Sequence, residues 1–264
     1  MGGGASLEWS GSLAPSAPGD KKQHQALTEP FQKGGIVLNE KKKAGHYAAS
    51  YVKDGMTIGL GTGSTVYFTI EKIGEMVKQG MKIKGIATSN KTARLAYNLN
   101  IPLIELNDTE RIDLTIDGAD EIDSHFNGIK GGGGALLREK LVANASDKII
   151  WVADHTKLVQ QLGKFPLPVE VVQFGSTHTA RLMEKEGLNP VLRLNSAGKA
   201  VYTDNGNLIY DLQTEPIKEP EKLAGIIKQL PGVVEHGLFL QHPHVVITGV
   251  NDSVVIREKK GVSE

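Results

Sequence analysis

From Ile36 onward, short apolar runs alternate with stretches of helical period, and this alternation restricts the possible folds more than any other feature of the chain. Runs at 56–60, 83–87, 103–106, 112–116 and 149–153 have strand length and are rich in Ile, Leu and Val. Segments 40–52, 66–78, 91–99 and 135–145 instead repeat their apolar residues every three or four positions. Strands that alternate with helices of about 10 to 15 residues form βαβ units, because a parallel partner strand is reached only by a crossover. The expected fold is α/β, a mostly parallel Rossmann-like sheet with helices on both faces. After Lys164 the rhythm changes: 169–172, 191–194, 200–203, 208–212 and 233–240 read as strands with only two helices among them. Asp204-Asn205-Gly206-Asn207, between two of these runs, is a hairpin signal. Runs 245–248 and 254–257 are expected to return to the main sheet. Residues 36–163 with 240–264 thus form one expected domain, and 164–239 a smaller α+β domain inserted before the last strands.

At 264 residues and 39% hydrophobic content, the chain can bury a substantial core. Thirty basic residues balance thirty acidic ones, so no nucleic-acid or membrane partner is expected. No apolar run approaches the roughly 20 residues of a membrane span, which predicts a soluble protein. The absence of cysteine suits a reducing compartment such as the cytoplasm. Residues 1–35 mix Gly, Ser, Ala and Pro with Lys21, Lys22 and Lys33 and are expected to be a disordered extension. They lack the apolar core of a secretory signal and the arginines of a transit peptide, leaving an artificial leader or a natural tail open.

Three junctions are dense in glycine and small polar residues: Gly59-Leu60-Gly61-Thr62-Gly63-Ser64-Thr65, Asp117-Gly118-Ala119-Asp120-Glu121-Ile122-Asp123 and Lys130-Gly131-Gly132-Gly133-Gly134-Ala135. Four glycines in a row lose more backbone entropy on ordering than any other residues would. A ligand that needs bare N–H groups at a helix N-terminus is the usual compensation. Together the junctions suggest one anion-binding site at the C-terminal edge of a parallel sheet.

Each junction also has a plainer reading. The first follows neither the dinucleotide nor the P-loop glycine spacing, and Thr88-Ser89-Asn90 supplies no acid for a ribose. Thr62, Ser64 and Thr65 could hold a phosphate, or the segment could be a tight turn capped by Thr65. The acidic cluster lacks the calcium-loop order; a solvated loop, a magnesium site with phosphate co-ligands and acceptors for sugar hydroxyls all stay open. Glu139 alone would be an ordinary exposed helix glutamate. Behind a glycine loop, with Lys130 at its start, it becomes a candidate acid–base group. The eight histidines show no metal-ligand spacing, and Ser64 lies in no nucleophile elbow.

These residues, with Ala153-Asp154-His155-Thr156-Lys157, 163–171, Thr203-Asp204-Asn205-Gly206-Asn207 and Pro231-Gly232-Val233-Val234, closely resemble type A ribose-5-phosphate isomerases, in order from about Glu40 to the C-terminus. The resemblance implies interconversion of ribose 5-phosphate and ribulose 5-phosphate through a cis-enediolate, without cofactor or metal. It makes Glu139 the base and gives Lys130 and the glycine loop (Gly131, Gly132, Gly133) the developing oxyanion. Asp117 would assist ring opening, Asp120 would bind sugar hydroxyls beside Gly118 and Ala119, and Thr62, Gly63, Ser64 and Thr65 would hold the phosphate. Lys157 would close the site, with Lys42 as a further contributor. A homo-oligomer, dimer or tetramer, is expected. The alternatives are a non-catalytic sugar-phosphate-binding regulator on the same superfold and an isomerase or deaminase of other sugar phosphates.

Overall fold

The computed structural model describes residues 35–259 apart from 215. The expectation for 1–35 therefore lies outside the described residues, except that Gly35 already opens helix α1 (Gly35–Ala49). There follow β1 (Thr57–Leu60), α2 (Ser64–Lys78), β2 (Lys84–Ala87), α3 (Asn90–Asn98) and β3 (Leu114–Gly118). Two short strands, β4 (Glu121–Ile122) and β5 (Gly128–Ile129), precede α4 (Leu136–Asn144) and β6 (Ile149–Asp154). The next section holds β7 (Leu167–Val171), α5 (Ser176–Lys185), β8 (Pro190–Leu192), β9 (Leu208–Leu212), α6 (Pro220–Gln229) and β10 (Val233–His236). The chain ends in β11 (Leu238–Phe239), β12 (Val245–Val250) and β13 (Ser253–Glu258).

Six strands form the main sheet in the order β13-β12-β6-β3-β1-β2. All neighbours run parallel except β12 and β13, which form an antiparallel hairpin. The last two strands do return to this sheet, and the fold is α/β as the alternation predicts. One core joins Ala44 and Ala48 of α1 and Val66, Ile70 and Ile73 of α2 to Ile58, Leu60, Ile116 and Val152 of the sheet. Trp151, Phe239, Val246 and Ile122 form another cluster. From β1 the chain builds β2 on one side and then crosses back to build β3 on the other. The loops leaving β1 and β3 diverge at this reversal and open a crevice, the usual ligand site in such a sheet.

Strands β10-β7-β9-β8 make a separate antiparallel sheet around Leu167, Val169, Met183, Leu212 and Ile227. A third sheet, β11-β5-β4, carries the segment between the acidic cluster and the glycine loop.

Several local expectations need correction. Run 103–106 keeps one bridge, Leu103 to Gly85, held by Gly85 N–H on Pro102 O and Ile104 N–H on Gly85 O, and then turns into a 3-10 segment at Leu106–Asp108. Run 200–203 has only the bridges Leu194–Ala200 and Tyr202–Leu208 flanking its hairpin. Run 233–240 is divided between two sheets at Gly237. The Gly237 amide donates to Pro168 O (2.7 Å) while its carbonyl accepts from Lys130 N–H (2.9 Å). A Cβ there would overlap the Lys130 carbonyl, so glycine permits the crossing. Part of the acidic cluster is strand rather than loop, with Glu121 opposite Ile129 and Ile122 opposite Gly128.

Candidate active site

Strand β3 delivers Asp117 to the crevice, 2% exposed. Its Oδ1 accepts from the amides of Thr62 (3.0 Å) and Gly118 (2.7 Å), which ties the β1 loop to the β3 loop. Its Oδ2 lies 3.0 Å from Lys130 Nζ, and the same ammonium stands 3.4 Å from Glu139 Oε1 on the first turn of α4. Lys130 also donates to the Gly118 carbonyl, and its ammonium lies 5.4 Å from the centre of the Phe239 ring. Side chains from strand β3, the glycine loop's start and helix α4 thus form one buried acid–base group.

The charges explain the titration of this group. Glu139 is 4% exposed, and its Oε2 is buried without a hydrogen-bond partner among the described residues. Burial first, then the like charge of Asp117, push its pKa up to about 8, while Lys130 pulls it down. Burial works to lower Lys130, but the carboxylates of Asp117 and Glu139 outweigh it and hold the lysine above its ordinary value. The ammonium stays charged and Glu139 becomes a strengthened base.

The acidic cluster divides by role. Asp120 is half-buried and accepts from Gly132 N–H (2.8 Å), which places it against the glycine loop. Glu121 takes the amides of Gly163 (2.8 Å) and Phe165 (2.6 Å), and Asp123 takes those of His125 (2.8 Å) and Asn127 (2.9 Å). Those two carboxylates satisfy backbone donors and hold the segment in place. Gly118 and Ala119 lie between the two groups, half-buried.

The glycine run is only partly explained by a need for ligand space. Gly131 has φ +101°, a conformation other residues rarely adopt, and a Cβ at Gly132 would come within 2.7 Å of Asp120 Oδ1. Gly132 itself is not left-handed, so the crowding there comes from Asp120. Gly133 is exposed and has ordinary space around it.

At the β1 loop, helix α2 starts at Ser64 with Gly63 as its N-cap and no side-chain cap, so Thr65 does not cap the turn. Thr62 Oγ1 lies within hydrogen-bond distance of Thr88 Oγ1 (2.8 Å), Ser89 Oγ (2.8 Å) and Thr92 Oγ1 (3.0 Å). Ser64 Oγ accepts from Lys41 Nζ (3.0 Å), and that ammonium is 3.7 Å from Asp154 Oδ2 at the end of β6. Lys42 is exposed and lines a surface groove with Tyr47, Ser50 and Val254, and it is Lys41 that reaches Ser64. The helical register carried this signal: Lys41, Ala44 and Ala48 share one face of α1 at the i, i+3, i+7 spacing. Thr88 and Ser89, passed over for lack of an acid, supply hydroxyls. Lys157, half-buried in the 3-10 turn after β6, makes no ion pair among the described residues.

Near Lys41, Glu40, Asp154 and His155 each bring a ligand atom within 4.8 Å of the others, a spacing suited to a cation. Glu40 Oε2 is instead paired with His155 Nδ1 (2.6 Å), and its Oε1 accepts from Asn251 N–H (2.6 Å). The Lys41 ammonium already faces Asp154.

A sequence model of the family described as Ribose 5-phosphate isomerase A (phosphoriboisomerase A) matches residues 84–253. A protein of Listeria monocytogenes serotype 4b named Ribose-5-phosphate isomerase A is 54% identical over 211 residues, 80% of this chain and 94% of that protein. The solved ribose 5-phosphate isomerase of Plasmodium falciparum superposes with a TM-score of 0.80 at 40% identity, over 84% of this chain and 98% of that one. A D-ribose-5-phosphate isomerase solved in complex with phospho-erythronic acid gives a TM-score of 0.81 at 35% identity, over 84% and 99% of the two chains.

Proposed function

The chain belongs to the ribose 5-phosphate isomerase A family and interconverts D-ribose 5-phosphate and D-ribulose 5-phosphate in the pentose phosphate pathway, and we propose that Glu139 is the base of this isomerisation. The observation that carries the assignment is the buried Oε2 of Glu139, which has no partner among the described residues while Oε1 faces Lys130. An oxygen with free lone pairs, on a carboxylate strengthened by burial, can take a carbon-bound proton. In the open-chain sugar it removes the proton at C2 and returns it at C1, and negative charge collects on the oxygens of the cis-enediolate between these steps. Lys130 and the N–H of Gly133 are the donors proposed for that charge, the Gly132 N–H being held by Asp120. Asp117 Oδ2 keeps a lone pair beside Lys130 and is assigned to ring opening, and Asp120 to the sugar hydroxyls.

Ser64 and Thr65, at the N-terminus of α2, and the Lys41 ammonium are assigned to the phosphate, with Thr62 and Gly63 shaping the turn and Lys157 closing over it. The phospho-erythronic acid of the solved relative carries a phosphate and a carboxylate, the two anionic ends this arrangement would separate. A regulator without turnover is not favoured, since a sensor has no use for a strengthened base next to an ammonium. A cysteine-free chain suits the cytoplasm, the location we propose. The exposed apolar side chains Val191 of β8 and Leu194 and Tyr202 in the segment beyond it support a homo-oligomer.

The test is purified protein incubated with ribose 5-phosphate in EDTA while ribulose 5-phosphate is followed. Undiminished conversion is expected, because every assigned step uses an acid–base group of the chain. Loss on chelation with recovery on magnesium would move the acidic cluster to a metal role.

A further inference from the structure

The carbonyls of the glycine loop are held by an arginine of the antiparallel-sheet region. Arg193, just beyond β8, donates through Nη1 to the carbonyls of Gly131 (2.8 Å) and Gly132 (3.1 Å). Its Nε and Nη2 engage Asp211 of β9 through both carboxylate oxygens, at 2.8 and 2.5 Å. The Arg193 amide also donates to Ile209 O (2.8 Å), so side chain and backbone are both anchored in the antiparallel sheet. A bidentate fork of this kind fixes the guanidinium plane.

This bonding sets the direction of two peptide units. In a trans peptide, C=O and N–H point to opposite sides. The unit joining Gly131 to Gly132 has its carbonyl on Arg193 and its N–H on Asp120 (2.8 Å), so it spans from one sheet to the acidic cluster. The next unit has its carbonyl on the same guanidinium, which aims the Gly133 N–H toward the Asp120 side. Gly133 is exposed, and its N–H has no protein acceptor among the described residues. Glycine imposes little preference of its own on these torsions. Without Arg193, the unit between Gly132 and Gly133 could rotate and turn a carbonyl oxygen toward the developing oxyanion.

We propose that the Arg193–Asp211 pair is a positioning device for the isomerisation, orienting the peptide units of the glycine loop so that the Gly132 N–H stays on Asp120 and the Gly133 N–H faces the enediolate. The inference rests on the assignment of Glu139 and the glycine loop to the reacting end of the sugar. It also gives the antiparallel sheet a part in the chemistry.

Arg193→Lys keeps the charge but loses the planar fork that takes both Asp211 oxygens while a third nitrogen reaches the two loop carbonyls, and Asp211→Asn keeps the arginine but weakens its anchor. The measurements are kcat and KM for ribose 5-phosphate, the affinity for phospho-erythronic acid, and the folded fraction by circular dichroism, with Glu139→Gln alongside. In Arg193→Lys, kcat per folded molecule should fall about 10- to 100-fold, with KM changed by less than about threefold. Phospho-erythronic acid should bind more weakly, and Asp211→Asn should fall between Arg193→Lys and the parent. If kcat per folded molecule stays within about twofold of the parent in both variants, the pair only supports the fold and the proposal is overturned. Where that happens while Glu139→Gln is inactive, the base assignment survives; an active Glu139→Gln would sink that assignment itself.

Discussion

Glu139 shares one ammonium with Asp117 and stands behind Asp120, so its charged form meets burial and like charge together. Two consequences can be measured. The base works only when ionised, so kcat/KM should drop about tenfold per pH unit on the acid side of a pKa of about 8. A limb near 4.5, the ordinary value, would mean that the working base is less buried than Glu139. The second consequence concerns stability. The folded-state pKa lies above the unfolded one, so the protonated carboxyl favours folding; that contribution is full below 4.5 and lost as pH rises through about 8. Glu139→Gln keeps the neutral shape at every pH. It should lower kcat by about a thousandfold with substrate binding retained, and at pH 9 it should be more stable than the parent by about 1 to 3 kcal/mol. Equal denaturant midpoints at pH 9 would contradict the buried, unpartnered carboxylate. Lys41 and Lys42 give a sharper contrast because they are neighbours in the chain. Lys41→Met should raise KM about tenfold or more by removing a charge from the phosphate, while Lys42→Met should leave it within about twofold.

At the scale of elements, the site depends on how closely the β1 and β3 loops approach. Gly61 lies directly against Asp117, and a Cβ at Gly61 would overlap both that carboxylate and its backbone. Asp117 is the partner that holds Lys130 and the Thr62 amide. Gly61→Ala is therefore expected to displace Asp117, lowering kcat/KM about a hundredfold and stability by about 1 to 3 kcal/mol. Assays and urea melts on one preparation would check both, and normal values would mean that the loops can separate at no cost. Helix α4, which carries Glu139, is fastened from behind. Lys140 Nζ donates to Glu235 Oε1 (2.9 Å) and to the carbonyls of His236 (2.7 Å) and Leu238 (3.0 Å), and lies 4.7 Å from the Phe239 ring centre. The ring of Phe239 thus has an ammonium on each of two helix and loop neighbours, Lys140 and Lys130. The helix that bears Glu139 is thus fixed by strands that come about a hundred residues later in the chain.

Across the whole molecule, the strand–helix alternation up to β6 and the glycine-rich junctions were readable because they depend on local rules: side-chain period, backbone entropy and the chemistry of turns. The same rules made the junctions that carry Asp117, Lys130 and Glu139 stand out, while their joining into one set came from the resemblance to the isomerase family. They could not separate Glu121 and Asp123, which hold backbone amides, from Asp117 and Asp120, which face the site, because all four share one short segment. The division of 233–240 between two sheets was equally hidden, since an apolar run keeps the same pattern whichever strand it pairs with. The sequence by itself determined the kinds of elements, their order and the chemical types gathered at the junctions, because these follow from neighbours along the chain. Only the tertiary structure decided that Lys41 rather than Lys42 meets Ser64, that Glu139 is buried strongly enough to become a stronger base, and that Arg193 grips the glycine loop. Those outcomes depend on distances and desolvation between residues tens of positions apart, which arise only when the sheets close around the crevice.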